Sequence, residues 1–478
     1  MKSKQTTFIF ISCVVILIVA CLCIGLVLIG GVGASLIWPL NFEGLSEDAS
    51  TSNLRQTPME NTPDPALTPN NSATAIPTLD DDLPDELAVT IKEIESQVRD
   101  LRGLASEEPV DHTLISSEEL EEIIINDFLS AYRDEDVQQD VKVLSTLGLL
   151  PDDFDLKYLY QALYTEQIAG FYDEESKEIF IVQGEEFGGS EKLTYAHEFT
   201  HVLQDSVYKF NTGLEYNEDA CEKDSERCAA ITALIEGDAT LTEILWFETY
   251  ATIWDYRDLS RDFSNIESTI LDSAPYYMAS DLYFPYDYGL TFVQHLFDEG
   301  GYQAVDAAYE NLPLSTEQIL HPKRYPSDVP KEVILLDLSD VLGQSWTLFD
   351  QNIMGEWYTY LVLSQGFKEE HRLDEDLASV AAEGWGGDAY AFYFNDETNE
   401  VTFVLDTTWD TTSDAIEFRD AFERYAQQRW QRAEDDILGQ PTWFGENFVS
   451  TLLYDEGRTV WVISVSPDLV ESVLTTLR

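Results

Sequence analysis

The sequence predicts an α+β protein: a mostly helical body with a hairpin ahead of one buried helix, then a small C-terminal unit of strands and helices. Three observations predict it. Apolar residues recur at helical spacing through much of residues 86–375. Two strand-like runs flank the polar turn Asp173-Glu174-Glu175-Ser176-Lys177. From Gly384 onward, short β-rich runs separated by turns alternate with two helical stretches. The expected division is a cytoplasmic tail at 1–7, a transmembrane helix at 8–38, a disordered stalk at 39–85, a main domain at 86–375 and a C-terminal α+β domain at 376–478.

Residues 8–38 carry no charge and exceed the roughly 20 residues that a membrane helix needs. Lys2 and Lys4 precede them and acidic residues follow. The positive-inside tendency then predicts a single-pass anchor in the cell membrane, with everything after Pro39 outside the cytoplasm. A cleaved signal peptide is one rival reading, and lipid attachment at Cys21 behind Ile18-Val19-Ala20 is another. The Ser, Thr, Pro, Asn and Asp of 41–84 cannot bury a core.

Helical periodicity begins at Leu87 and runs to Leu104. Ser116-Ser117-Glu118-Glu119 predicts a capping-box start for a helix to about Tyr132. Another helix ends at Gly148, and one more starts after Pro151-Asp152-Asp153. Residues 166–172 and 178–182 read as the two strands of the hairpin, whose edge could hold an extended peptide.

Gly188-Gly189-Ser190 reads as a turn with Ser190 as N-cap of the next helix. Leu193, Ala196, Phe199, Val202, Leu203 and Val207 make that helix apolar on nearly all sides, so it is expected to be buried. It carries His197-Glu198-Phe199-Thr200-His201. Residues four apart stack on one helix face, so His197 and His201 can grip one metal ion, and Glu198 can reach a water on that ion. Zn2+ is the natural occupant for imidazole nitrogen, and a catalytic site needs a third protein ligand.

Residues 229–247 form the next expected helix. Glu236 and Asp238 interrupt its apolar run, where a carboxylate needs a reason. Glu236 is the first choice for third ligand and Asp238 the second; Asp238, Thr240 and Asp205 are candidates for orienting a ligand histidine. Gln204 and Val207 stand where a metzincin requires Gly and His.

Further helices are expected at 289–299, closed by Gly300-Gly301, at 315–320, stopped by Pro322, and at 350–365. Strands follow at 389–394 and 401–405, a helix at 413–432, a hairpin at 448–454 and 459–465, and a closing helix at 467–477. This last unit contains no histidine or cysteine.

Ninety acidic against 27 basic residues give a formal charge of −63. Such a surface excludes nucleic acid and acidic membrane surfaces as natural partners. Cys221 and Cys228 flank a short acidic loop and are either a disulfide or two thiols.

The two motifs resemble those of zincin metallopeptidases of the gluzincin type. The resemblance implies zinc held by His197, His201 and Glu236, and peptide hydrolysis by a zinc-bound water with Glu198 as general base. It also implies a His or Tyr donor facing the developing oxyanion, for which His321 and Tyr288 are the candidates. The pattern departs from thermolysin four residues after Glu236, where Thr240 replaces Asp. Glu-Gln-Ile-Ala-Gly-Phe-Tyr-Asp at 166–173, the helix motif at 196–205 and Ala-Leu-Ile-Glu-Gly-Asp-Ala-Thr at 233–240 are similar to a group of uncharacterised bacterial membrane-anchored proteins. Ser-Thr-Glu-Gln-Ile-Leu-His-Pro at 315–322 and Gly-Trp-Gly-Gly-Asp at 384–388 extend that likeness. The expectation is therefore a membrane-anchored extracytoplasmic zinc metallopeptidase, an endopeptidase rather than an exopeptidase, acting on protein or peptide. The alternatives are a non-catalytic zinc-containing binding module and a zinc hydrolase of a non-peptide substrate.

Overall fold

A computed structural model describes residues 83–106, 109–128, 132–167, 170–182, 187–265 and 274–478. The expected membrane helix at 8–38 lies outside them, as does nearly all of the expected stalk. Among the described residues no helix is long and apolar enough to cross a membrane. The two longest carry carboxylates along their length, including Glu236, Asp238 and Glu243 on one and Asp281 and Asp287 on the other. The cell-membrane placement expected from the sequence is corrected accordingly.

The mixed α+β class holds. Helix α1 (Asp85–Arg102) stops at Gly103, whose φ of 77° suits a residue without Cβ. Strand β1 (Asp111–Ile115) leads to α2 (Ser117–Ile123), started by the capping box of Ser116 and Glu119. A π turn at Ile124–Phe128 follows, so no single α-helix reaches Tyr132. Helices α3 (Asp134–Leu147) and α4 (Leu156–Gln167) come next. Good helix formers carry α4 to Gln167, so strand β2 is only Gly170–Asp173. It pairs antiparallel with β3 (Glu178–Val182), and β1 joins β3 in parallel, giving the order β1-β3-β2. Strand β2 is thereby an edge.

Helices α5 (Gly189–Tyr208) and α6 (Ser225–Tyr250) form the centre of the helical part. The N-cap of α5 is Gly188 rather than Ser190, because Glu191 reaches back to the Gly188 N–H (2.9 Å). Around the pair lie α7 (Ile253–Asn265), α8 (Tyr276–Gly300), α9 (Tyr302–Glu310) and α10 (Thr316–Leu320). Helix α8 starts well before the expected position. Pro285 inside it reads in the sequence as a break, but packing against α6 carries the helix through.

A seven-stranded antiparallel sheet closes the chain. It comprises β4 (Trp346–Asn352), β5 (Trp385–Asn395), β6 (Glu400–Trp409), β7 (Gln431–Arg432), β8 (Thr442–Phe444), β9 (Val449–Asp455) and β10 (Arg458–Ser464), in the order β4-β5-β6-β10-β9-β8-β7. Helices α11 (Gly355–Ser364) and α12 (Glu375–Ala382) lie between β4 and β5, and α13 (Thr412–Arg429) and α14 (Pro467–Leu477) complete the unit. Alternation sorts its two faces. Phe403, Leu405, Trp461 and Ile463 pack with α13, whereas Val404, Val460 and Val462 pack with α14. The sequence predicts one helix over 350–365. Instead, β4 ends at Asn352, and Asp388 accepts the Met354 and Gly355 N–H groups (2.7 and 3.0 Å) where α11 begins. The sheet therefore starts some 30 residues before the expected domain boundary.

The sheet is not an appendage. The face under α13 shares one core with Leu144, Leu147, Leu159 and Tyr160 of α3 and α4. At that seam Arg429 Nη1 donates to Leu147 O (2.7 Å) and Nη2 to Thr146 O (2.6 Å), capping the carbonyl end of α3.

Several carboxylates are buried. Glu226 accepts the Thr316 N–H (2.6 Å) and hydroxyl (2.8 Å). Burial pushes Glu226 well above its ordinary range, Asp388 up to about 6 and Glu317 up to about 9. A carboxyl raised in the folded state binds its proton more tightly there than in the unfolded chain. Stability then falls as pH rises from the ordinary carboxyl value through the raised one. The charge of −63 acts in the same direction. Glu95 and Asp255 are lowered, and their contribution is lost only in more acid solution. The thermal midpoint is therefore expected to be several degrees higher at about pH 5.5 than at about pH 8. Differential scanning calorimetry across that range checks it; a midpoint that climbs with pH refutes it.

Candidate metal centre

Helix α5 presents His197 and His201 one turn apart, and α6 presents Glu236 opposite them. His201 Nε2 lies 3.0 Å from His197 Nε2. Glu236 Oε2 lies 3.2 Å from His197 Nε2 and 3.4 Å from His201 Nε2. All three side chains are buried. These donor atoms converge on one point and could hold a metal ion there.

The far side of each imidazole is held. His201 Nδ1 is 2.8 Å from Gln204 Oε1. Glu243 Oε2 is 3.3 Å from His197 Nδ1, within ion-pair distance though bent as a hydrogen bond. Fixing Nδ1 in this way leaves Nε2 to face the centre. Burial would lower the His197 pKa, but Glu243 and Glu236 hold it well above the ordinary value. Burial would likewise raise Glu236, but His201 and His197 bring it down to about 2, so it remains a carboxylate.

Gln204 continues the chain of contacts. Its Nε2 donates to Ile235 O (3.0 Å) and to Asp238 Oδ2 (2.9 Å). Asp238 also accepts Arg102 Nε (2.8 Å), Arg102 Nη2 (3.0 Å) and the Tyr309 hydroxyl (3.0 Å). Arg102 Nη1 lies 2.8 Å from Asp306 Oδ1, an ion contact without hydrogen-bond alignment. The last residue of α1 is thus tied through Asp238 and Gln204 to His201.

Glu198 stands beside the centre. Its Oε2 accepts the Tyr172 N–H of edge strand β2 (3.0 Å), while Oε1 is buried without a partner among the described residues. Burial pushes Glu198 up to about 7. Asp205 accepts from the Tyr172 hydroxyl (2.9 Å), from Lys177 and from the Phe210 N–H (3.1 Å), so it ties the hairpin to α5 rather than orienting a histidine. Among the described residues Thr240 Oγ1 is buried without a partner, and Asp238 reaches His201 through Gln204.

The two candidate donors lie against other groups. His321 Nε2 contacts Glu356 Oε1 (2.8 Å), and Tyr288 packs on Trp357 and Phe284. The α8 ring that meets the centre is Tyr286, 6.2 Å from the His197 ring between centroids. A second acidic group, Glu317, Asp328 and Asp410, already has the Arg324 guanidinium among its carboxylates. Cys221 and Cys228 are joined as a disulfide.

Glu243 was the residue that sequence reasoning passed over. It lies seven residues after Glu236, two helical turns along the same face, and is likewise a carboxylate in an apolar run. Gln204 lay inside the quoted motif, but its role is visible only once α6 is placed.

Gly237 explains how α8 comes this close. A Cβ on Gly237 would stand 2.2 Å from the Gly289 carbonyl, and one on Gly289 would stand 2.2 Å from Ala233 O. The two helices touch backbone to backbone one residue from Glu236. Gly237→Ala is expected to destabilise the fold by about 2 kcal/mol, because overpacking outweighs the gain in helix propensity of about 1 kcal/mol. Urea denaturation measures this; an unchanged or higher midpoint would show that the contact yields freely.

Residues 347–473 match a family model described as a domain of unknown function (DUF8575). That match covers the sheet and its helices, about a quarter of the chain, and none of the residues of the metal centre. No curated protein and no solved structure matches the chain.

Proposed function

We propose that the chain is a zinc-dependent peptidase with a gluzincin-type zincin fold, in which His197, His201 and Glu236 hold the ion and Glu198 is the general base. The observation that carries the reading is the mutual spacing of the three donor atoms, 3.0–3.4 Å. Ligand bonds of about 2.0–2.1 Å around a tetrahedral zinc place adjacent donors about 3.3 Å apart. The donor chemistry fits as well. Two imidazoles with Nδ1 engaged would offer Nε2 lone pairs to a cation that displaces their protons, and an ionised carboxylate completes the donor set.

Zinc would supply Lewis-acid polarisation of a carbonyl and a lowered pKa for a bound water. Glu198 would accept the proton of the attacking water and pass it to the leaving amine. Its position is fixed by the Tyr172 N–H, which leaves Oε1 for that transfer. Strand β2 is an edge, so an extended peptide added to it would lie beside Glu198, which favours cleavage within a chain.

The test is elemental analysis of the purified chain, followed by digestion of a peptide library read by mass spectrometry with and without a chelator. One zinc per chain and cleavage that the chelator stops and added zinc restores are expected. Bound zinc with no cleavage would favour a non-catalytic binding module. Cleavage only of esters or other non-peptide bonds would favour a different zinc hydrolase.

A further inference from the structure

Helix α6 brings two carboxylates to one imidazole. Glu236 and Glu243 are seven residues apart, so they share a face of that helix, about two turns and about 10 Å along it. Glu236 Oε2 meets His197 at Nε2 (3.2 Å), on the side of the three converging donors. Glu243 Oε2 meets the same ring at Nδ1 (3.3 Å), on its far side. One rigid helix therefore holds His197 at both nitrogens. His201 is held differently, with the neutral Gln204 amide oxygen at its Nδ1 (2.8 Å).

The fold alone gives no reason for a carboxylate at position 243. The side chain is fully buried, and neither oxygen has a hydrogen-bond donor among the described residues. Burying a carboxylate in that way is costly, and an apolar residue of similar volume would stabilise α6 more. Thr240 gives the contrast. It lies three residues earlier on the same face, and its hydroxyl is also buried without a partner among the described residues, but it carries no charge. Only Glu243 of this pair can offset positive charge at the metal centre, and it does so through the His197 ring.

We propose that Glu243 is a positioning residue of the metal centre: its carboxylate fixes the His197 ring from the Nδ1 side and makes Nε2 the stronger ligand, touching neither ion nor substrate. The inference rests on the reading that His197, His201 and Glu236 hold a metal ion. An imidazole whose outer N–H faces a carboxylate gives more electron density to the ion than one facing an amide. His197 is thus the firmer of the two histidine ligands. The arrangement also ties the ligand set to α6 twice, once directly through Glu236 and once through Glu243, so a shift of that helix would move both.

Competition of the full chain with a chromogenic chelator for zinc, beside unfolding of the metal-free chain, tests the assignment. Glu243→Leu keeps the volume and removes the charge. It should weaken zinc binding by about tenfold to a hundredfold. The metal-free variant should unfold at an unchanged or higher midpoint, because a buried carboxylate without donors is gone. Glu243→Gln keeps an acceptor for Nδ1–H and should lose less than Glu243→Leu. With cobalt in place of zinc, the visible absorption reports ligand geometry; it should shift in Glu243→Leu and stay in Thr240→Val, which should also keep its zinc affinity. A zinc affinity in Glu243→Leu within about twofold of the unaltered chain would overturn the proposal. An equal loss in Thr240→Val would overturn it too, since packing of α6 would then be the cause. None of these readouts needs turnover: a chain that binds zinc, releases it more readily as Glu243→Leu and cleaves no peptide keeps this assignment and ends the peptidase reading. An unaltered chain that binds neither metal ends both.

Discussion

Glu198→Gln is expected to lower peptide turnover by roughly 10²- to 10⁴-fold, the range that a positioned acid–base group supplies. The substitution keeps size and shape. An amide oxygen can still accept the Tyr172 N–H that now reaches Oε2 at 3.0 Å. Glu198 is not one of the three converging donors, so zinc content should remain at one per chain. The loss should therefore fall on kcat, with little change in metal affinity or in the unfolding midpoint. Steady-state kinetics on a cleaved library peptide, with elemental analysis of the same sample, decides it. Full activity in the variant would remove Glu198 from the chemistry and end the proposed mechanism.

Asp238→Ala should be the most damaging change to stability among the residues that touch no substrate. It strips the carboxylate from the Arg102 guanidinium, whose side chain is fully buried, and leaves it the Asp306 contact, a long bond to the Tyr208 hydroxyl (3.4 Å) and the face of the Tyr302 ring. Removing one partner of a buried pair costs about 3–5 kcal/mol, because the remaining charge is left without compensation. It also removes the acceptors of Tyr309 and of one Gln204 N–H, so His201 loses a fixed neighbour. Weaker zinc retention should accompany the lower stability, by roughly tenfold on the scale of second contacts to metal ligands. Urea denaturation and competition with a chromogenic chelator measure the two effects. Combining the change with Arg102→Met supplies the control: the double variant should be more stable than Asp238→Ala alone. If Arg102→Met makes matters worse by its full single effect, the pair is not coupled as described.

The readable parts of the fold were those decided within a few residues. Ser116 with Glu119, Gly148, and the closing helix at 467–477 are local signals, and the observed elements follow them. The spacing of His197, His201 and Glu236 in one apolar setting was equally local, since each helix supplies its own periodicity. What the pattern did not reveal depended on partners far along the chain. Strand β4 takes its conformation from β5, roughly 40 residues later, and the Asp388 cap of α11 is similarly remote. Packing against α6, which includes the Gly237–Gly289 contact, accompanies the run of α8 through Pro285, and local propensity cannot register it. Tyr286 is chosen over Tyr288 by that same contact, which fixes the rotation of α8 and hence the ring that faces His197. The role of Arg102 leaves no local signal in the sequence, because its partner lies 136 residues away.

The cap that Arg429 places on α3 bears on the order of events during synthesis. Its partners lie 282 and 283 positions upstream. At roughly 5–20 residues per second, a ribosome needs on the order of a quarter of a minute to a minute to make the intervening stretch. Throughout that interval the apolar side of α3 and α4 has no sheet to lie against. A nascent chain of this protein should therefore engage holding chaperones until its final hundred residues emerge, and a truncation before β4 should leave material that aggregates rather than a smaller folded unit.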